Sequence, residues 1–202
     1  MGLRVGLTGG LASGKTFVSE ELERLGCFVV HADALGHAVL MPGGEAYDVT
    51  VREFGAGILN PDGTINRRLL AAAVFGQPER LERLNSFVHP PVRARTQRAL
   101  ADFFARAPDG IAVVEAAILI ETGSWRNYNK LIVVVCTPEQ QVERAMKRDG
   151  LTREEATARL ARQMPLSEKV RYADYVIDTS GEKEHAIEQT RRVYRELRSL
   201  VR

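Results

Sequence analysis

Residues Gly9–Thr16 read Gly-Gly-Leu-Ala-Ser-Gly-Lys-Thr and follow directly on the apolar run Leu3-Arg4-Val5-Gly6-Leu7-Thr8. The spacing Gly9-x-x-x-x-Gly14-Lys15-Thr16 is the full pattern of a phosphate-binding loop (P-loop), which needs a strand before it and a helix after it. Its glycines let successive backbone N–H groups turn inward as an anion nest, and the helix that follows adds the positive end of its dipole. Lys15 is placed to reach the terminal phosphates of a bound nucleotide, and the Thr16 hydroxyl to ligate Mg²⁺. The nucleotide-binding stretch is therefore taken as Gly9, Gly10, Leu11, Ala12, Ser13, Gly14, Lys15, Thr16 and Phe17.

The rest of the chain repeats the strand-then-helix rhythm that this loop requires. Strand-like runs occur at Arg4–Thr8, Cys27–His31, Ile111–Glu115, Leu131–Cys136 and Tyr175–Asp178. Helical patterns follow them at Gly14–Leu25, Ala34–Met41, Ile118–Thr122, Pro138–Asp149 and Glu182–Val201, the fourth opened by a first-turn proline. This alternation predicts an α/β fold, a P-loop-type open parallel sheet of five strands flanked by helices. Two excursions exceed an ordinary crossover. Residues 34–108 are mostly helical, punctuated by "MPGG", "NPDG" and "HPP", and residues 144–173 form an arginine-dotted helical stretch. The expected organisation is a core of 1–33, 109–143 and 174–202, a helical acceptor-binding insertion at 34–108, and a lid at 144–173.

Composition excludes several classes. Hydrophobic residues make up 45% and charged residues 27% of 202, an ordinary globular balance, and a net charge of +2 gives no argument for nucleic acid or a membrane surface. Of the 28 basic residues only Lys15, Lys130, Lys147, Lys169 and Lys183 are lysine. Cys27 and Cys136 lie in apolar strand-like runs, which predicts buried reduced thiols. Cys27 and His31 share a face of one strand, but two ligands do not make a metal site. No leader pattern opens the chain and no run approaches the roughly 20 apolar residues of a membrane span, so a cytoplasmic location is expected.

In an open parallel sheet, ligands bind beyond the carboxyl ends of the strands. The second strand leads into Asp33 and the third ends at Glu115, two carboxylates suited to holding Mg²⁺ beside the loop. A guanine-reading Asn-Lys-x-Asp motif is not formed by Asn129-Lys130-Leu131-Ile132, and the chain has no room for the partner domains of a motor. A small kinase accounts for both excursions: one binds the acceptor, the other closes over ATP and excludes water. Arg144 and Arg148, at i and i+4, share a helical face and are placed to neutralise the transferring phosphoryl group.

At full length the residues resemble the dephospho-CoA kinase family. The resemblance rests on "GLTGGLASGKTFVSEELERLG", "HADALGHAV", "INRRLLAAAVFGQPERLERLNSFVHPPVR", "VVEAAILIETG", "TPEQQVERAMKRDG", "ARLARQ" and "YADYVIDTSG", in that order and spacing. It implies transfer of the γ-phosphate of ATP to the ribose 3′-hydroxyl of dephospho-CoA, giving CoA and ADP in the last step of CoA synthesis. It further implies that Asp33, the second acid of the family's Asp-Ala-Asp, is the general base, with Lys15 and Arg144 catalytic beside it. Thr8 and Asp33 then lie near the acceptor ribose, Arg67, His89 and Glu115 belong to the acceptor pocket, and Thr16, Asp33 and Glu115 to the metal. The implied partners are ATP, Mg²⁺ and dephospho-CoA, with no nucleic acid, membrane or obligatory protein partner.

Departures from the family pattern are His31 for the first acid, Ala12 for a frequent loop glycine, Phe17 for a small hydroxyl residue, Ala117 for a proline, and Thr179-Ser180 for an Asn-Gly-like turn. Ala12 is compatible with the loop if its backbone angles are not left-handed. The alternatives are another small P-loop kinase acting on a nucleoside or nucleotide, and a nucleotide-binding regulator whose ADP production no acceptor accelerates.

Overall fold

The computed structural model describes residues 2–201. In chain order the elements are β1 (Leu3–Gly9), α1 (Lys15–Arg24), β2 (Phe28–His31), α2 (Ala32–Ala38), α3 (Tyr47–Phe54), α4 (Arg67–Val74), α5 (Pro78–Arg106), β3 (Ile111–Glu115), β4 (Lys130–Val135), α6 (Pro138–Asp149), α7 (Arg153–Leu160), α8 (Leu166–Lys169), β5 (Tyr175–Asp178) and α9 (Lys183–Ser199). They form two compact units, one containing the chain up to His31 and from Ala101 onward, the other Ala32–Leu100.

The first unit is built on five parallel strands in the order β2-β3-β1-β4-β5. Alternate residues of a strand share one face. Leu3, Val5 and Leu7 of β1 thus join Ile111, Val113, Ile132, Val134 and Ile177 in one core, against Val18 and Leu22 of α1 and Val193 and Leu197 of α9. Fully burying each such side chain contributes about 1.5–3 kcal/mol. Central β1 feeds the phosphate loop, so a strand buried without a break from Val5 to Gly9 carries the residues that most need fixed positions. Among the described residues no helix is long and apolar enough to cross a membrane, and both cysteines are buried and free.

The second unit has its own small core of Ile58, Ile65 and Leu70, covered by Leu40, Tyr47, Val51, Phe54 and Leu84. The "NPDG" segment is a turn: Gly63 N–H donates to the Asn60 carbonyl and Thr64 N–H to Asp62 Oδ1. Asn66 then caps α4, its Oδ1 accepting from the backbone N–H groups of Arg68 and Leu69.

Three local expectations are corrected. The "HPP" segment does not interrupt a helix, since α5 runs through Pro90 and Pro91. By helical geometry the ladder bonds forgone there are those to the carbonyls of Ser86 and Phe87. Ile118–Thr122 is a series of turns rather than a helix. There the Ile118 carbonyl accepts from both the N–H and the hydroxyl of Thr122, and the Ser124 hydroxyl donates to the Leu119 carbonyl. Finally, the helix expected at Ala34–Met41 is α2, Ala32–Ala38, so Asp33 stands inside its first turn.

Candidate active site

The loop between β1 and α1 is shaped by close contacts. Gly14 precedes α1 at φ 90°, a left-handed conformation natural to glycine. At Gly10 a Cβ would run into Gln141 Nε2. Lys15 Nζ donates to the Gly10 carbonyl at 2.9 Å. The first N–H groups of α1 have no acceptor within the helix, and the dipole adds positive potential at the same place. Among the described residues the buried Ser13 hydroxyl has no hydrogen-bond partner. Phe17 is half-buried on α1, and Thr16 is exposed at its start. Ala12 overturns the condition set on it: its φ is +48°, and among the described residues it is the only non-glycine with positive φ. A left-handed alanine costs about 1–2 kcal/mol.

Glu115 ends β3 next to β1, in register with Leu7 on one side and His31 on the other. It is buried, and two neighbours hold the same oxygen. His31 Nδ1 lies 2.6 Å from Oε2, and the Ser19 hydroxyl of α1 lies 2.9 Å from it. That hydroxyl is also 2.9 Å from the Thr16 carbonyl, which ties Glu115 to the start of α1. The imidazole in place of an acid thus touches Glu115 directly. Among the described residues both hydrogen-bond partners of the Glu115 carboxylate use Oε2, and Oε1 with the Thr16 hydroxyl are hard oxygen donors of the kind that would fit Mg²⁺.

Thr8, expected near the acceptor ribose, is the penultimate residue of β1. It is fully buried, and its hydroxyl donates to the Ala117 carbonyl at 3.1 Å. The same carbonyl accepts from Lys169 Nζ at 2.7 Å. Lys169 is itself fully buried, and its ammonium also pairs with Glu121 at 2.8 Å and reaches the Gly9 carbonyl at 3.4 Å. Its three donors therefore join the loop, the turn after β3 and the segment between α7 and α8, where Met164 N–H donates to Glu121.

On α6, Arg144 reaches the loop through one intermediary. Its guanidinium donates to the Thr179 hydroxyl at 3.0 Å and to the Thr179 carbonyl at 2.7 Å, and that hydroxyl donates to the Ser13 carbonyl at 2.8 Å. Arg148, one turn on, instead forms two hydrogen bonds to Asp149, at 2.8 and 2.9 Å.

The remaining expected residues stand in the second unit. Asp33 is exposed in the first turn of α2, and Arg67 is the exposed first residue of α4. Both act on His37, whose pKa is lowered first by desolvation and then by Arg67, against an opposing pull from Asp33. His89 lies on the exposed side of α5, and partial desolvation followed by Arg93 holds its imidazole below the usual histidine range. The site residues that sequence reasoning missed are Ser19, Gln141, Gln163 and Lys169. Only Lys169 had a signal of its own, as a rare lysine in an arginine-rich stretch.

A parallel sheet whose central strand runs into this loop, with an acid at the neighbouring strand end, defines a P-loop nucleotide-binding fold. The family model "Dephospho-CoA kinase" matches residues 3–185. A dephospho-CoA kinase of Aquifex aeolicus is 40% identical over 194 residues, 96% of this chain and 97% of that protein. Among solved structures, TT1252 from Thermus thermophilus superimposes with a TM-score of 0.80 at 31% identity, covering 96% of each chain. The dephospho-CoA kinase of Campylobacter jejuni does so with a TM-score of 0.64 at 25% identity, covering 97% of each. The chain belongs to the dephospho-CoA kinase family.

Proposed function

We propose that the protein transfers the γ-phosphoryl group of ATP to the ribose 3′-hydroxyl of dephospho-CoA, giving CoA and ADP in the cytoplasm. The observation that carries this reading is the match of residues 3–185 to one family, the phosphate loop included. Gly9–Thr16 and Phe17 hold the nucleotide, and the N–H groups at the start of α1 together with Lys15 spread the charge of its terminal phosphates. Asp33 orients the acceptor hydroxyl and takes its proton as the bond to phosphorus forms, while ADP leaves from the opposite side. Arg144, oriented by Thr179, stabilises charge on the transferring group, and Arg148 joins it when residues 144–173 close as a lid.

Residues 34–108 bind the acceptor, with Arg67 and His89 in its pocket. Thr8 lies close to the acceptor ribose and also holds the Ala117 turn. Thr16, Glu115 and Asp33 would hold Mg²⁺, which supplies charge neutralisation between the phosphates when bound. The test is ADP release from ATP and Mg²⁺ with and without dephospho-CoA. Strong acceleration by the acceptor supports the reading, whereas the same rate in its absence points to the regulator.

A further inference from the structure

Ala12 holds a left-handed backbone at φ +48°, which glycine would adopt without a Cβ penalty. The two peptides on either side of Leu11 are gripped from outside the loop. Gln141 Nε2 of α6 donates to the Leu11 carbonyl at 2.8 Å, and the Leu11 N–H donates to Gln163 Oε1, beyond α7, at 2.7 Å. The Leu11 carbonyl belongs to the peptide plane whose rotation about the Ala12 N–Cα bond is φ of Ala12, so holding that oxygen holds the angle. Gln141 is 2% exposed, so its carboxamide cannot simply turn to water. The side chains are held too: Leu11 and Ala12 pack against a buried cluster of Val142, Ala145 and Ala156. That contact gives the Ala12 methyl a place that glycine would leave empty.

We propose that Gln141 and Gln163 are positioning residues that hold the two peptides flanking Leu11 in the shape the phosphate loop needs, fixing from α6 and the segment after α7 a left-handed turn that a glycine at position 12 would adopt without a Cβ penalty. The inference rests on the reading that this loop receives the phosphates of ATP. Because both glutamines belong to the helical stretch around residues 138–163, the fit of that stretch against the loop sets nucleotide affinity before any acceptor binds.

The test is a double-mutant cycle read by ATP binding in Mg²⁺, using calorimetry without dephospho-CoA, with kcat at saturating ATP measured separately. Gln141→Met keeps the side-chain volume and removes the donor. In the Ala12 background it should weaken ATP binding roughly ten-fold, about the worth of one net hydrogen bond, with kcat changed less than KM. With Ala12→Gly present, the same substitution should cost less than about three-fold, because glycine adopts the angle without the Cβ penalty that Gln141 otherwise holds in check. Gln163→Met serves as the second arm and is read in the same cycle if Gln141→Met lowers the melting temperature too far. Equal losses in both backgrounds, or no loss with Ala12 present, overturn the proposal. Failure of the unsubstituted protein to bind ATP would overturn the reading of the loop instead, which separates the two.

Discussion

Replacing Thr179 by valine preserves the shape of the side chain and removes one hydroxyl from the junction between Arg144 and the phosphate loop. Three contacts disappear: the 3.0 Å bond from Arg144 Nη1, the 2.8 Å bond to the Ser13 carbonyl, and a 3.2 Å approach to the Val135 carbonyl that shares the same hydroxyl proton. The first is charge-assisted and contributes roughly 1.5–3 kcal/mol, the second, neutral, roughly 0.5–1.5 kcal/mol. Thr179 is only 7% exposed, so water is poorly placed to replace the hydroxyl. The 2.7 Å bond from Arg144 to the Thr179 carbonyl survives, so the arginine stays tethered and loses only orientation. The expected loss is therefore near the lower end of the sum, about 2 kcal/mol in urea unfolding. In initial rates with ATP varied at saturating dephospho-CoA, kcat/KM should fall roughly ten-fold, the part of that loss felt by the transferring phosphoryl group. Thr179→Ser keeps the hydroxyl and should recover most of the rate. Wild-type kcat/KM for the valine variant would refute the idea that Thr179 relays Arg144 to the loop, whatever its stability.

Three further outcomes are expected. Asp33→Asn should retain ATP binding while turnover falls by about two orders of magnitude or more, the range of general-base loss; near-normal turnover would reduce Asp33 to an acid in the first turn of α2. Lys169→Met leaves Glu121 and two carbonyls without the ammonium they share, and should cost about 3 kcal/mol in urea unfolding; a loss under about 1 kcal/mol would show that the buried cation is not needed. Burial pushes the Cys27 thiol from 9.0 up to about 12. Above pH 9 the unfolded chain then gives up a proton that the folded chain keeps, so stability falls as pH rises toward 12, by at most about 1.4 kcal/mol per unit. Cys27→Ala should flatten that part of the pH–stability curve, and an unchanged slope would contradict the assignment.

The parts legible in the sequence are those fixed by local pattern. Ile111–Glu115 and Tyr175–Asp178 have the expected bounds, and α6 begins at Pro138. The phosphate loop was readable because its glycines and lysine act over a few residues. The His31 replacement was visible too, but not that its imidazole would meet Glu115, because that contact comes from strand register. What escaped depends on distant partners. Lys169 bonds a carbonyl 160 positions earlier, and Gln163 a backbone N–H 152 positions earlier, so no window contains both ends. The left-handed Ala12 escaped for the same reason: the contacts that offset its strain come from helices far along the chain. The prolines of α5 misled because local helix-breaking chemistry predicts a stop, whereas the helix continues through both.

The most direct test of the central claim follows the phosphate itself. With ATP labelled in its γ-phosphoryl group, Mg²⁺ and dephospho-CoA, the account predicts that label moves into CoA in step with ADP, and that phosphorus–proton couplings in the product place it on the ribose 3′-oxygen. Label appearing in inorganic phosphate, or at another oxygen of the acceptor, would contradict it.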